Sequence, residues 1–408
     1  MKRLFMLYLI AIIVIIAASP VEAGTLAEDR QGAEEGNAQA QYELGSRYFN
    51  GRDVAIDYTE AIRWLRLAAN QGHSSAQNNL GVIYLGGMGV PKDYGQAAMW
   101  LGKAANQGDS SAQYQLGSMF YYGLGMDKDY RQAVEWYRSA ADQGNVFAQG
   151  NLGWICLTGA GSEKNYPEAA RLFRLAAQQG DPGSQYVLSM IMVHKLVPES
   201  DGSVKEAFDW LRQSAAKGYA PALYTIAATY SQMNRHTEAV SLYEAAASKD
   251  YPPAQNNLAA YYAMGFGVPI DYAKAMDLYR KAASKGHPRA MNSIGYMFQN
   301  SEGVNQNYQE CFNWYQRAAE AGFPEACKNL GLLYLYGQGV QKDDSQAYYW
   351  LQMAVAGKYP IDQSVLAGLE NSLSPDKVNE TQKRVRDWQE KHIYWTDWIE
   401  FLKYGWRL

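Results

Sequence analysis

The residues able to do covalent or metal chemistry are few and scattered in this sequence. No two histidines stand four residues apart, which excludes the paired helical ligands of a zinc protease. No Gly-x-Ser-x-Gly elbow occurs, and no cysteine has a candidate base nearby in sequence. We therefore predict no enzyme activity, no cofactor and no metal site, with an active site assembled from distant segments as the remaining catalytic alternative. The histidines are His73, His194, His236, His287 and His392.

A glycine-rich turn recurs and superficially matches a phosphate-binding loop. Its form is Gly-x-Gly-Val, as at Gly87 to Val90, Gly265 to Val268 and Gly337 to Val340. A dinucleotide fingerprint needs a preceding strand, a third glycine and a helix directly after it, and none of these is present. The pattern instead indicates the end of a helix, where the first glycine adopts a left-handed conformation.

These turns belong to a sequence repeat. A Leu-Gly pair, or a close equivalent, recurs about every 36 residues, a period typical of stacked helical hairpins. Within one copy, apolar residues such as Leu80, Ile83 and Tyr84, then Trp100 and Ala104, follow helical spacing. Each copy of the repeat is therefore predicted to form two helices, here called the A helix and the B helix. The pairs begin at Leu44, Leu80, Leu116, Leu152, Leu188, Ile226, Leu258, Ile294 and Leu330.

The recurrent acidic residues fit helix ends better than an active site. An Asp-Tyr or Asn-Tyr pair precedes most B helices, as at Asp93 and Tyr94, and Gln or Glu follows three residues later, as at Gln96. This spacing predicts a capping box. The Trp and Ala positions of the B helix, such as Trp100 and Ala104, predict core packing rather than a cofactor box.

The repeat divides the chain into four segments. Residues 1–23 resemble a signal peptide, 24–36 an N-terminal cap, 37–358 nine repeats, and 359–408 a partial repeat followed by a capping helix. The fifth and sixth repeats depart from the pattern, so Val197 to Arg235 is a candidate hinge.

The N-terminus predicts export. Lys2 and Arg3 precede an apolar run from Leu4 to Ala18, and small residues lead to Ala23, where we expect cleavage. An uncleaved anchor is the alternative, but the run is short for a spanning helix. The expected location is the periplasm or the cell exterior.

Composition limits the classes of partner. The formal net charge is −4, and no basic block characteristic of nucleic-acid binders occurs, so we expect no nucleic-acid partner. Cys156, Cys311 and Cys327 are too few for a disulfide framework. Cys311 and Cys327 are predicted to differ in height by roughly 9 Å on adjacent antiparallel helices, which is beyond disulfide reach.

The repeat pattern Ala-Gln-x-x-Leu-Gly-x-x-Tyr-x-x-Gly-x-Gly-Val, followed by Asp-Tyr, Trp and an Ala pair, resembles the Sel-one-like repeat family, a relative of tetratricopeptide repeats. The resemblance covers nearly all of Asn37 to Lys358. It implies an all-α, right-handed α-solenoid of stacked helix-turn-helix repeats. It also implies an adaptor or scaffold that binds a protein or peptide on a concave face lined by A helices, in envelope assembly or host interaction.

Two positions of the A helix carry the binding hypothesis. In related tetratricopeptide repeats, the Asn before the Leu-Gly position holds the backbone or terminal carboxylate of a peptide. One turn further on, Trp154 and Tyr296 are residue types found at binding hot spots. A structural role for the amides and core packing for the two rings are the alternatives. The first position gives the candidates Asn79, Gln115, Asn151, Asn257 and Asn329.

The sequence also gives two alternative functions and two alternative roles for the C-terminal segment. A hydrolase acting on cell-wall or antibiotic amide bonds is the enzymatic alternative, and the Tyr and Trp content motivates a carbohydrate-binding module. The aromatic tail, His392 to Leu408, is predicted to cover the last repeat, with a partner-binding or membrane-surface helix as its alternative. Membrane contact is expected only through this tail or an uncleaved signal.

Overall fold

The protein is helical throughout the part of the chain that the structure describes. The structure is a computed structural model and describes residues 25–161, 163–198 and 204–391. Twenty-one helices and no strands occur in these ranges, which confirms the all-α prediction. None of the described helices combines the length and the apolar character that crossing a bilayer requires. The predicted signal peptide and the aromatic tail lie outside the described residues.

Helices in the repeat region alternate between A and B types along the chain, after a first short helix. Nearly all of them have 13 residues, as expected for a regular hairpin array. Even numbers from α2 to α18 are A helices and odd numbers from α3 to α19 are B helices. The helices are α1 Leu26–Glu34, α2 Ala38–Asn50, α3 Tyr58–Asn70, α4 Ser74–Gly86, α5 Tyr94–Asn106, α6 Ser110–Tyr122, α7 Tyr130–Asp142, α8 Val146–Thr158, α9 Tyr166–Gln178, α10 Pro182–Val193, α11 Val204–Ala216, α12 Ala220–Gln232, α13 His236–Ser248, α14 Pro252–Met264, α15 Tyr272–Ser284, α16 Pro288–Asn300, α17 Tyr308–Glu320, α18 Pro324–Tyr336, α19 Asp344–Ala356, α20 Gln363–Ser372 and α21 Pro375–Lys391.

The start of the B helix confirms half of the predicted capping box and corrects the other half. The Asp57 carboxylate accepts hydrogen bonds from the amides of Thr59 and Glu60, at 2.9 and 3.1 Å. The Asp57 amide, however, donates to the carbonyl of Tyr48 in the A helix, at 3.0 Å, so the Glu60 side chain has no such donor to accept from. Glu60 accepts instead from the Trp64 indole, at 3.0 Å. The interhelix turn therefore supplies the bond that a capping box would have made.

The second glycine of each Gly-x-Gly turn joins neighbouring repeats. Gly89 has a φ of 69°, and a Cβ there would overlap the Cβ of Tyr58, the first residue of the preceding B helix. Gly125 meets Tyr94 in the same way. The recurrent Tyr after the Asp cap and the glycine one repeat later thus form one packing contact.

Contacts divide the chain into two compact units, Met1–Trp210 and Leu211–Leu408, and the boundary falls within α11 and within the predicted hinge. In each unit consecutive helices pack on one another. The core of the first unit contains Leu80, Ile83 and Leu101, and that of the second contains Tyr243 and Tyr315. Fully buried alanines, as predicted, let helices approach closely.

The C-terminal end of the second unit is covered by its own helices. Tyr348 and Leu351 of α19 pack with Leu366 and Leu369 of α20 and with Val378 of α21. The predicted partial repeat and last helix are therefore both present as helices, and they close the apolar side of α19.

Candidate functional site

Each A helix has one stripe of four positions that lies on a single side of the helix. In α16 the stripe is Arg289, Ser293, Tyr296 and Asn300, and its spacing of four, three and four residues keeps them on one face. The stripes of successive A helices within a unit are called its A-helix face. All seven predicted binding residues belong to such a face.

In the first unit, two of the predicted amides are closed to solvent. Asn79 is 3% exposed and Gln115 is 4% exposed. Burial raises the pKa of Tyr42, and the neighbouring Ser46 and Asn79 side chains partly offset this effect. Asn79 therefore contacts a tyrosine of the preceding repeat rather than solvent.

Asn151 and Trp154 also contact the protein itself. The Asn151 amide donates to the hydroxyl of Tyr137 at 3.4 Å, and that hydroxyl donates to Ser118 at 3.0 Å. Burial raises the pKa of Tyr137 well above its usual value, so the phenol stays protonated. Trp154 is half-buried and packs edge-to-face against Phe173, with ring centroids 5.9 Å apart.

In the second unit, the two predicted asparagines link neighbouring repeats. Asn257 donates to the hydroxyls of Tyr224 and Tyr243, at 3.3 and 3.2 Å. Asn329 donates to the side-chain oxygen of Asn292 one repeat earlier, at 3.0 Å. Both asparagines are half-buried, so the geometry gives these amides a structural role.

Tyr296 is the predicted residue that the structure leaves most open. Its exposed fraction is 49%. On the same face of the neighbouring A helices, Met264 is 61% exposed and Tyr336 is 66% exposed. We call Met264, Tyr296 and Tyr336 the apolar strip. Met264 and Tyr336 are missing from the predicted set because they stand one turn beyond the predicted column, at positions where the first two repeats have Asn50 and Gly86.

The described thiols and imidazoles have structural contacts. All three cysteines are free and buried, and burial raises the pKa of both Cys311 and Cys327 to about 12, so neither is an activated nucleophile at neutral pH. His73 and His287 each accept the amide of the residue three positions later, at 3.3 Å, and so cap α4 and α16. His236 lies 3.3 Å from the Tyr261 hydroxyl.

The described part of the chain has neither a group of metal-binding side chains nor an array of open tryptophans. No group of three or more His, Cys, Asp or Glu side chains there could hold a metal ion. The described tryptophans are buried or half-buried, so they offer no flat array of open rings for a sugar.

Several solved structures are similar to this chain, and the first of those named here agrees with the described architecture. A protective antigen of uropathogenic Escherichia coli that displays an SLR fold is 31% identical, with a TM-score of 0.74, and the match covers 90% of this chain and 79% of that one. A Sel1 repeat protein of Oxalobacter formigenes is 26% identical, with a TM-score of 0.41 and coverage of 86% and 90%. An immunity protein of Pseudomonas aeruginosa is 21% identical, with a TM-score of 0.38 and coverage of 52% and 81%. A comparison with curated proteins found no match.

The Sel1 repeat model matches eight segments of the sequence, and together these make up more than half of the chain. The fifth segment is shorter than the others, and no match covers the sixth predicted repeat, 220–251, whose turn lacks the glycine pair. The matched segments are residues 38–73, 74–109, 110–145, 146–181, 198–219, 252–287, 288–323 and 324–359. The chain therefore belongs to the Sel1 repeat family, whose α-solenoids are scaffolds that typically mediate protein–protein interaction.

Proposed function

We propose that this protein is an exported scaffold that binds a segment of a partner protein through the A-helix face of its second unit. The observation that carries the proposal is the apolar strip. Three large side chains, each about half or more exposed, lie on one face of neighbouring A helices, and exposed apolar patches of this kind typically mark interaction sites.

The second unit is the better binding surface because its face combines open apolar groups with open polar ones. Arg289 and Asn300 are exposed on the stripe that carries Tyr296. They could pair with backbone or side-chain groups of a bound segment while the strip takes apolar side chains. In the first unit, by contrast, Asn79 and Gln115 would have to be uncovered before they could touch a partner.

The predicted residues of the second unit have two different roles in this proposed binding. Tyr296 and its two neighbours in the apolar strip contact the partner. Asn257 and Asn329 hold the helices that present the strip, since their amides already bond to the preceding repeats. In this proposal the asparagines do not bind the peptide themselves, as the sequence had suggested, but support the helices that do.

Export rests on the N-terminal sequence, with its basic residues, apolar run and small residues before Ala23. The similarity to an antigen agrees with a location in the envelope or outside the cell, because an antigen must be reached by immune molecules. Envelope assembly or host interaction is the proposed setting. N-terminal sequencing of the exported protein tests this, and a product that begins at Met1 would contradict cleavage.

The binding test is affinity capture with crosslinking, using the mature chain from Gly24. The double variant Tyr296→Ala and Tyr336→Ala should lose the captured partner while keeping its helical circular dichroism. A matched variant of the first unit, Asn151→Ala and Trp154→Ala, should retain it. Loss of the partner in the second variant alone would place the binding surface in the first unit and overturn the proposal.

A further inference from the structure

The apolar side of the last repeat is covered by described helices. The side of α19 that would be open after the last repeat is occupied by Leu366 and Leu369 of α20 and Val378 of α21. Residues 392–408, which we predicted to cap the last repeat, lie outside the described residues, and this side already has a cover without them. The tail nevertheless contains Trp395, Trp398 and Phe401, whose rings are costly to leave in water.

The last described helix brings the start of the tail to the N-terminal end of an A helix. Trp388, in the final turn of α21, lies against Gly322, which precedes α18. Val385 and Trp388 pack with the core of the second unit, so this end of α21 is anchored. The tail therefore begins beside the A helix that carries Tyr336.

The distances permit contact with the apolar strip. From Phe323 to Tyr336 is about 20 Å along α18, at about 1.5 Å per residue. A 17-residue segment spans up to roughly 56 Å when extended, so about six residues would reach the strip. The remaining residues suffice to cross three neighbouring A helices, whose axes lie about 8–10 Å apart.

We propose that residues 392–408 bind in cis to the apolar strip formed by Met264, Tyr296 and Tyr336. The two segments are complementary in chemistry, because the strip is exposed and the tail sequence is rich in large apolar rings, and they belong to one unit. A role of the tail in regulating partner binding rests on the proposed function, because the tail would compete with an external partner for the same face. The docking itself is independent of any partner.

The test is a pairwise cysteine crosslink in the full chain. The native cysteines are buried, so Asn300→Cys on the stripe of Tyr296 and Asp397→Cys beside Trp398 introduce the reactive pair and keep the rings of both segments. A short bismaleimide should join them within monomers. The matched control pairs Asp397→Cys with Lys281→Cys, an exposed position on a B helix, and should not crosslink. Equal crosslinking of both pairs, or none for the first, contradicts the proposal. Crosslinked dimers instead of monomers would assign the strip to a second copy and also overturn it.

A second readout measures accessibility with a monofunctional maleimide in two full chains that both carry Asn300→Cys, which leaves the apolar strip intact. One keeps the native tail, and the other adds Trp395→Ser, Trp398→Ser and Phe401→Ser. The introduced thiol should react roughly tenfold faster in the chain with the altered tail, as expected if the docked state is about ten times as populated as the open one. Unchanged rates contradict docking. If either tail test fails but the natural protein still captures its partner, the proposed function stands. If the tail docks but the variant Tyr296→Ala and Tyr336→Ala still captures the partner, only the proposed function is contradicted.

Discussion

The side-chain amide of Gln107 donates to the side-chain oxygen of Gln77, thirty residues earlier, at 2.7 Å. Gln77 is buried and donates in turn to the carbonyl of Ala69 at the end of the preceding B helix, at 3.0 Å. The same pair of bonds links Gln143 to Gln113, and Gln113 to Ala105. This glutamine ladder gives a second hydrogen bond to carbonyl groups at helix ends, where the Ala69 carbonyl, for example, also accepts from the Gly72 amide.

The ladder runs through the first unit and ends at Gln185. The Gln185 amide still donates to the Ala177 carbonyl, at 3.1 Å. Its oxygen is buried and has no hydrogen-bond partner among the described residues, because the position thirty residues later is Ala215. Gln185 is therefore a natural comparison for any test of the ladder.

Replacing Gln77 by Met should destabilise the protein, because it removes the bond that the Gln77 amide donates to the Ala69 carbonyl and the bond that the Gln77 oxygen accepts from Gln107. We expect a loss of about 1–3 kcal/mol in the free energy of unfolding. Gln185→Met removes one bond and an oxygen that had no partner, so its cost should be smaller. Urea unfolding followed by circular dichroism measures both. Equal costs for the two variants would contradict a contribution from the ladder.

The fold could be predicted from sequence, while the site could be predicted only in part. The repeat fixes helix positions because Gly81, for example, must be small where Leu101 of the B helix approaches it. The role of Asn257 could not be predicted, since its partners Tyr224 and Tyr243 lie in other helices. The repeat pattern places these tyrosines in helices but does not show that their hydroxyls accept hydrogen bonds from an asparagine. Exposure of Tyr296 depends likewise on neighbours in space, which no column of the repeat encodes.

Gly89→Ala should destabilise the protein more than Gly72→Ala. Both glycines have positive φ, of 69° and 94°, so an alanine costs about 1–2 kcal/mol at each. At Gly72 a Cβ meets nothing within 4 Å, whereas at Gly89 it overlaps Tyr58. We therefore expect about 3 kcal/mol or more at Gly89. Thermal unfolding compares the variants, and similar midpoints would mean that the Tyr58 contact is not tight.

His287 should make stability fall in mild acid. Burial, and to a lesser extent the charge of Arg289, lowers the pKa of His287 from 6.5 to about 4. The neutral ring caps α16. Between these values the unfolded chain binds more protons, so the free energy of unfolding decreases as pH falls from 6.5 to 4, by up to about 3 kcal/mol. His287→Asn keeps a cap, as Asn145 does for α8, and should reduce this loss. The measurement is urea unfolding at pH 7 and pH 4.5. An identical pH dependence in both proteins would exclude His287 as the cause.

The N-terminal cap is joined to the first repeat by a buried ion pair that could be replaced by an apolar one. Arg47 Nε lies 2.6 Å from Asp29 Oδ2, and both side chains are buried. One repeat later the equivalent positions hold Leu65 and Ile83, both fully buried. Arg47 also pairs with the exposed Asp53, so Asp29→Ala removes one of two carboxylate partners and should cost about 2 kcal/mol.

The double variant Asp29→Leu and Arg47→Ile should restore stability to within about 1 kcal/mol of the natural protein, because it removes both buried charges together and copies the pair that already packs one repeat later. Hydrogen exchange of the α1 amides measures the local stability of the N-terminal cap, and urea unfolding measures the stability of the whole protein. If the double variant is as unstable as Asp29→Ala, the ion pair itself holds α1 in place, and the apolar pair of the next repeat depends on surroundings that the cap does not share.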